Sequence, residues 1–382
     1  MKKLLIAIMS IFLLVGCQSS NEEQQGNVDK KPVKEDIRDV SFLAVGDNLI
    51  HGAIFHYNQQ ADGSYEFRHI YEPTNKYTRK ADIAYINQET ICGGTELGLS
   101  HYPSFNGPYE ILDAVADAGF DWIAASSNHT MDAGIQGILN QLNYLNKNYP
   151  DIKVTGSHVS KEKSEEVQVI ERNGVRFGIL GYTYGLNGYT IPEGKEYMID
   201  LIDKDKIKKD VEKLKKESDV QLVSMHWGDE YSFKTNEMQE DLAQFLSDLG
   251  VDVIVGEHPH VIQPMDFVKG KDGNKTLVIY SLGNFLSAQD DHDSMLGGMA
   301  RWHILYDMNT KEVSFKDVEF WPTVTHIENN FSYFKTYTLK DYTDELGAKH
   351  TLSTQYHQDC SRQYFIDLTK RVMNDKVKIV FE

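Results

Sequence analysis

From about position 39 onward, short apolar runs alternate with longer stretches whose apolar residues recur every three or four positions. The short runs suit buried strands and the longer ones amphipathic helices, so the chain reads as α/β. Strands are expected over 40–45, 83–87, 122–125, 152–155, 175–180, 222–225, 251–255 and 277–281. Helices are expected over 108–118, with Pro108 suited to a first turn, and over 135–146, 204–217 and 236–249. Residues 167–180 read as a hairpin, because Asn173-Gly174 supplies the positive φ angles of a two-residue turn. After Gly298 the pattern loses its regularity. The main domain is therefore expected over 39–300, with 301–382 completing its sheet or capping it.

The first residues follow a different pattern. Lys2 and Lys3 precede an apolar run from Leu4 to Val15, which ends in Leu14-Val15-Gly16-Cys17. The run is short for a bilayer-spanning helix and has the charged, apolar and small-residue regions of an export signal. A small residue before Cys17 resembles a bacterial lipoprotein box, which implies a leader over 1–17 and acylation of Cys17, palmitate included. Residues 18–38 are expected to form a flexible tether, since the stretch from Gln18 to Asp36 has too few large apolar side chains to offset its ordering entropy. The expected location is the outer face of a cell membrane, held there by lipid.

Composition narrows the function. Hydrophobic content of 41% and charged content of 25% are ordinary for a globular protein. The formal net charge of −18 argues against a general nucleic-acid binder, which needs a basic footprint. An anionic substrate would need a local positive centre, and bound metal is the obvious source. Once Cys17 is set aside, Cys92 and Cys360 remain, and no bridge between them can be read from sequence.

The polar clusters sit where the expected strands stop. Asp47 follows the first strand, Asn87-Gln88-Glu89 closes the second and Asn128-His129 follows the third; His226 ends the strand at 222–225, and His258 and His260 follow the one at 251–255. Ligands of α/β sheets bind beyond the carboxyl ends of the strands, so these clusters imply one shared site. Imidazole nitrogens mixed with carboxylate and amide oxygens suit Mn, Fe or Zn better than Ca, as one or two divalent ions. Trp227, Glu230 and His51 are candidate substrate contacts. The loop from Tyr182 to Gly188 could line the cleft, and Asn284 could support it.

In order, the motifs are Gly46-Asp47, Asn87-Gln88-Glu89, Ser127-Asn128-His129-Thr130-Met131-Asp132, His226-Trp227-Gly228-Asp229-Glu230, Gly256-Glu257-His258-Pro259-His260 and Tyr280-Ser281-Leu282-Gly283-Asn284-Phe285. As a set they resemble the CapA family of capsule and poly-γ-glutamate biosynthesis proteins. That resemblance implies a calcineurin-like metallophosphatase fold, a four-layer α-β-β-α sandwich with the metal centre at its top. It makes Asp47, Glu89, Asn128, His226, His258 and His260 metal ligands. It gives His129 the role of stabilising charge or protonating a leaving group, with Asp132 orienting it.

The chain departs from the metallophosphatase pattern at two positions. Leu49 stands where the opening Asp-x-His would place a histidine, with His51 two residues later, and Glu89 replaces the bridging aspartate. Two function classes follow. One is a metal-dependent hydrolase or transferase acting on phosphoester or γ-glutamyl amide bonds; the other is a non-catalytic accessory that binds an anionic extracellular polymer or supports its membrane synthase.

Overall fold

The computed structural model describes residues 36–382, so Cys17 and its leader, and the tether as far as residue 35, lie outside the described residues. The strands in chain order are β1 (Ile37–Asn48), β2 (Ile83–Asn87), β3 (Trp122–Ala124), β4 (Lys153–Thr155), β5 (Gln168–Arg172), β6 (Val175–Thr183), β7 (Val220–His226) and β8 (Val253–Glu257). They continue with β9 (Ile262–Lys269), β10 (Lys275–Leu282), β11 (Asn284–Leu286), β12 (Leu296–Asp307), β13 (Val313–Glu328), β14 (Tyr333–Thr338) and β15 (Lys378–Ile379).

These strands make two sheets. The first runs β14-β13-β12-β1-β2-β3-β4, with β11 beside β1 and β15 beside β13; the second runs β5-β6-β7-β8-β10-β9. Within the first, β1 to β4 are parallel, and within the second β6, β7, β8 and β10 are parallel. The sheets face each other across a core to which Phe42, Tyr85 and Trp302 contribute from one side and Phe177, Leu222 and Val255 from the other. Helices Lys204–Glu217 and Glu237–Asp248 cover the second sheet, setting Ile207, Val211, Leu242 and Leu246 against Val223, Met225 and Ile254. Helices Arg68–Thr78 and Glu110–Asp117 add Ile70, Tyr71, Ile111 and Val115 to the core of the first. The result is the four-layer α-β-β-α sandwich.

The hairpin forms as the Asn173-Gly174 signal predicts: φ is 50° and 75° at the two turn residues, and β5 pairs with β6. The position-300 boundary falls inside β12, which pairs with β1 on one edge and β13 on the other, so the segment beyond it completes the first sheet. Helix Arg68–Thr78 carries no clear sequence signal, because Pro73 sits inside it and removes a backbone donor. Burial of Ile70, Tyr71 and Thr74 holds it in place. Cys92 and Cys360 are both buried and free, so the pairing that the sequence left open does not occur. Among the described residues no helix is long and apolar enough to cross a membrane.

Phe42 clamps the two sheets together. Its ring stacks on Trp302 at 5.3 Å between centroids and meets the Phe177 edge from the facing sheet at 5.0 Å. Phe42→Ala should lower stability by about 3–5 kcal/mol, the usual range for a buried phenylalanine. Urea unfolding checks this: the midpoint should fall with the slope unchanged, and a midpoint shift under 1 M with a typical slope of about 1–3 kcal/mol/M would contradict the clamp.

Candidate metal centre

Parallel strands of both sheets end at the same edge of the sandwich, and the polar clusters follow from that. At the end of β1, Gly46 lies so close to the Gly283 carbonyl that any side chain there would collide with it. This close approach lets the Asp47 N–H donate to the Gly283 carbonyl at 2.8 Å and fixes the carboxylate. Asn87 at the end of β2 donates from Nδ2 to Asp47 Oδ1 at 2.8 Å. From the second sheet, His226 ends β7, while His258 and His260 follow β8 with φ of 99° and 59°. Left-handed backbone at two non-glycine residues is strained, and such strain persists where surrounding structure over-determines it.

The predicted ligands converge. Glu89, His226 and His258 form one group whose donor atoms all lie within 4.8 Å of one another, and Asp47, Glu89 and His260 form a second. Glu89 belongs to both. Its Oε1 lies 3.9 Å from His226 Nε2 and 3.6 Å from His260 Nε2, beyond ordinary hydrogen-bond distance. Asn128 Oδ1 sits 2.9 Å from His226 Nε2, on the side of the first group, and His260 Nδ1 lies 3.1 Å from Asp47 Oδ2. Exposed Glu230 adds a third group with His258 and His260.

The donor set fits a pair of divalent ions. Both oxygens of Glu89 are buried and take no hydrogen bond among the described residues, and Nδ1 of His226 and of His258 is equally unpartnered. A buried carboxylate without donors is expensive, and two cations sharing it would remove that penalty. Asn128, His226, His258 and Glu89 would complete one position. The other would have Asp47, His260 and Glu89, because the buried Leu49 side chain offers no donor.

Electrostatics set two of the three histidines apart from the third. Burial, reinforced by neighbouring imidazoles, holds His226 far below the ordinary histidine value and His258 down at about 3, so both present neutral lone pairs. Burial also pushes the Glu89 carboxyl well above the usual carboxylate range, with the charges of Asp47 and Glu230 adding to it against His260. His260 goes the other way. Burial lowers it, but the Glu89 charge and the Asp47 hydrogen bond and charge outweigh that and lift it to about 9.

His129 stands beside this cluster. Its Nδ1 pairs with Asp132 Oδ2 at 2.7 Å, and the same oxygen accepts from the Phe105 N–H at 2.7 Å. The Phe105 ring meets His129 edge-on at 4.7 Å. Asn187 connects the pair to the ligands, lying 3.4 Å from His129 Nδ1 and accepting from Asn128 Nδ2 at 3.2 Å. His51 reaches the same region half-buried, with Nδ1 accepting from the Ala288 N–H at 3.2 Å, and burial holds it down at about 4.

One expectation needs correction. Trp227 does not face the cleft: its ring is fully buried against Tyr280 in the core of the second sheet, and Nε1 donates to the Tyr280 carbonyl at 2.9 Å. The strand-end position suggested a substrate contact, but alternation along the backbone turns residue 227 inward after His226. Sequence reading also missed Glu257, buried one residue before His258 and hydrogen-bonded by the Tyr85 hydroxyl. It missed Tyr231 too, which leans on His260 at 5.9 Å. Glu257 was signalled only by its place inside the Gly256–His260 motif, and Tyr231 only by following Glu230.

Replacing Glu89 with Gln removes both the group that burial makes costly to ionise and the one donor common to the two candidate groups. Protein stripped with a chelator should then be more stable in the Glu89→Gln variant than in wild type, while the gain in melting temperature on adding Mn or Zn should largely vanish. Differential scanning calorimetry with and without metal checks both signs.

The match to known proteins covers the same region. Residues 41–289 match the family model described as "Bacterial capsule synthesis protein PGA_cap". The PGA biosynthesis protein CapA of Bacillus subtilis (strain 168) is 31% identical over 204 residues, 51% of this chain and 50% of that protein. The capsule biosynthesis protein CapA of Bacillus anthracis is 30% identical over 199 residues, covering 51% and 47%. The chain thus spans about half the length of the curated relatives it matches. Among solved structures, a phosphatase from Mycoplasma pneumoniae aligns over 76% of this chain and 95% of its own at 17% identity and a TM-score of 0.44. The NAD nucleotidase of Haemophilus influenzae aligns over 91% and 65% at 13% identity and a TM-score of 0.48. On the family match, which spans most of the sandwich together with all six predicted ligands, the chain belongs to the bacterial capsule synthesis protein family PGA_cap.

Proposed function

We propose that this protein is a lipid-anchored, metal-dependent hydrolase or transferase of capsule or poly-γ-glutamate biosynthesis, acting outside the membrane on phosphoester or γ-glutamyl amide bonds. The observation that carries the reading is the His129–Asp132 pair, 2.7 Å apart, beside two ligand groups that share Glu89. A bare binding site has no need of an imidazole oriented by a buried carboxylate. Two divalent ions held there would act as Lewis acids and lower the pKa of water. Asp47, Glu89, Asn128, His226, His258 and His260 would hold them, and His129 would deliver a proton to the leaving group while Asp132 fixes its tautomer. Mn, Fe and Zn all suit the donor set.

A second reading is favoured by one residue. Leu49 leaves the Asp47 side with fewer donors than the Asn128 side, which suits an accessory that binds an anionic polymer or its membrane synthase without turnover.

Metal stoichiometry and hydrolysis of bis-p-nitrophenyl phosphate, measured on one preparation, separate the two. His129→Ala should keep its metal and lose about 10²–10⁴-fold in turnover, the span of general acid catalysis. Bound metal with no wild-type turnover would leave only the accessory reading, and protein that takes up no metal would sink both. The anchor is tested apart from the site: Cys17→Ser should move the protein from the membrane fraction to the soluble one, and unchanged fractionation would refute acylation at Cys17.

A further inference from the structure

Four exposed tyrosines are linked through the loops around the histidine cluster. Tyr102, Tyr184, Tyr189 and Tyr231 are 71%, 41%, 45% and 54% exposed. Tyr184 lies parallel to His226 with centroids 6.3 Å apart and leans on His258 at 4.6 Å. Tyr231 leans on His260. Tyr189 joins Ser104 through their hydroxyls at 3.0 Å, tying the loop that carries Tyr102 to the loop that carries Tyr184. Exposed aromatic faces gathered at one site mark a binding surface.

Tyr231 is held there at a cost. Its φ of 61° is left-handed, and its N–H donates to the Pro259 carbonyl at 2.7 Å. Its hydroxyl accepts from Gln289 Nε2 at 3.1 Å; Gln289 Oε1 accepts from Asn284 Nδ2 at 2.7 Å, and Asn284 Oδ1 lies 3.2 Å from His260 Nδ1. A continuous polar chain therefore links this exposed ring to a metal ligand. Beside it opens a cavity of about 340 Å³, walled by Tyr231, Phe233, Asp290, Asp291 and Asp293. That volume lies in the range of small-ligand sites.

The charges around the rim select among ligands. Glu230 stands exposed beside His258 and His260, and Asp290 walls the cavity next to Tyr231. A chain with a carboxylate on every repeat would meet like charge along this approach. Sugar rings match instead: their C–H faces stack on tyrosine, and their hydroxyls donate to carboxylates and amides. We propose that the tyrosine rim binds a saccharide chain, so that the metal centre acts on a glycan-linked phosphoester rather than on a polyglutamate amide. This rests on the hydrolase reading above for its chemistry, though the binding itself does not.

Saturation-transfer NMR on the full chain tests it, with maltotetraose, chitotetraose, γ-linked hexaglutamate and AMP as probes. At least one tetrasaccharide should bind, with affinity reduced about tenfold by Tyr184→Ala or Tyr231→Ala, the scale of one lost stacking contact. Tyr231→Phe should bind nearly as wild type, and so should Ile37→Ala, an exposed position at the opposite end of β1 from Asp47. Hexaglutamate or AMP binding in place of both saccharides would overturn the proposal, as would tyrosine variants that bind as wild type while melting normally. Saccharide binding without phosphodiester turnover would uphold the rim and sink only the hydrolase reading; turnover without saccharide binding would do the reverse.

Discussion

The constraint on which the rest depends is a buried carboxyl group that no hydrogen-bond donor among the described residues satisfies. Glu89 follows β2 where the strand ends of the two sheets meet, fully buried, with both oxygens unpartnered among the described residues. Leaving such a group in a protein interior is costly unless something positive shares the space. His226 and His258 stand on one side of it and Asp47 and His260 on the other. The histidines come from one sheet and the oxygen donors from the other, so the centre exists only while the sheets stay clamped face to face. The Phe42 stack and the candidate ligands are in this sense one structure, with the core setting the distances over which those side chains meet.

The strained backbone at His258 and His260 belongs to the same arrangement. Two left-handed residues within three positions would be a poor choice for a loop free to relax. They persist because Asp47 anchors both: its Oδ1 faces the His258 N–H at 3.4 Å and its Oδ2 faces the His260 ring. Asp47 is fixed in turn by Asn87 and by the close passage of Gly46 against Gly283. Rigid placement of ligands before any ion arrives is what a metal site needs for selectivity.

Much of this was legible in the chain. Parallel strands made of continuous apolar runs announce themselves, and the polar clusters at their ends pointed to one edge of the sheets. The six residues that converge there could be read because each strand end carries its own short motif. Contacts made across the crevice were harder to read. Trp227 sits one residue past a ligand and turns inward, whereas Tyr231 lies five past it and turns out; no local pattern distinguishes them. Helix Arg68–Thr78 was hidden by Pro73, and the role of Glu257 depends on Tyr85 from a strand far away in sequence. Register between the sheets decides these cases, and register between sheets is a property of the packed core.

The most direct test is a crystal structure from Mn-soaked crystals with anomalous scattering. The account predicts two peaks about 3.5–4 Å apart, the usual separation in two-metal sites. One Glu89 oxygen should face each peak, with His226 and His258 around one and Asp47 and His260 around the other. Density on the Asn128 side should be the stronger, since Leu49 leaves the Asp47 side short of a donor. A map with no peak within coordination distance of Glu89, or with Glu89 hydrogen-bonded to a protein donor instead, would contradict it.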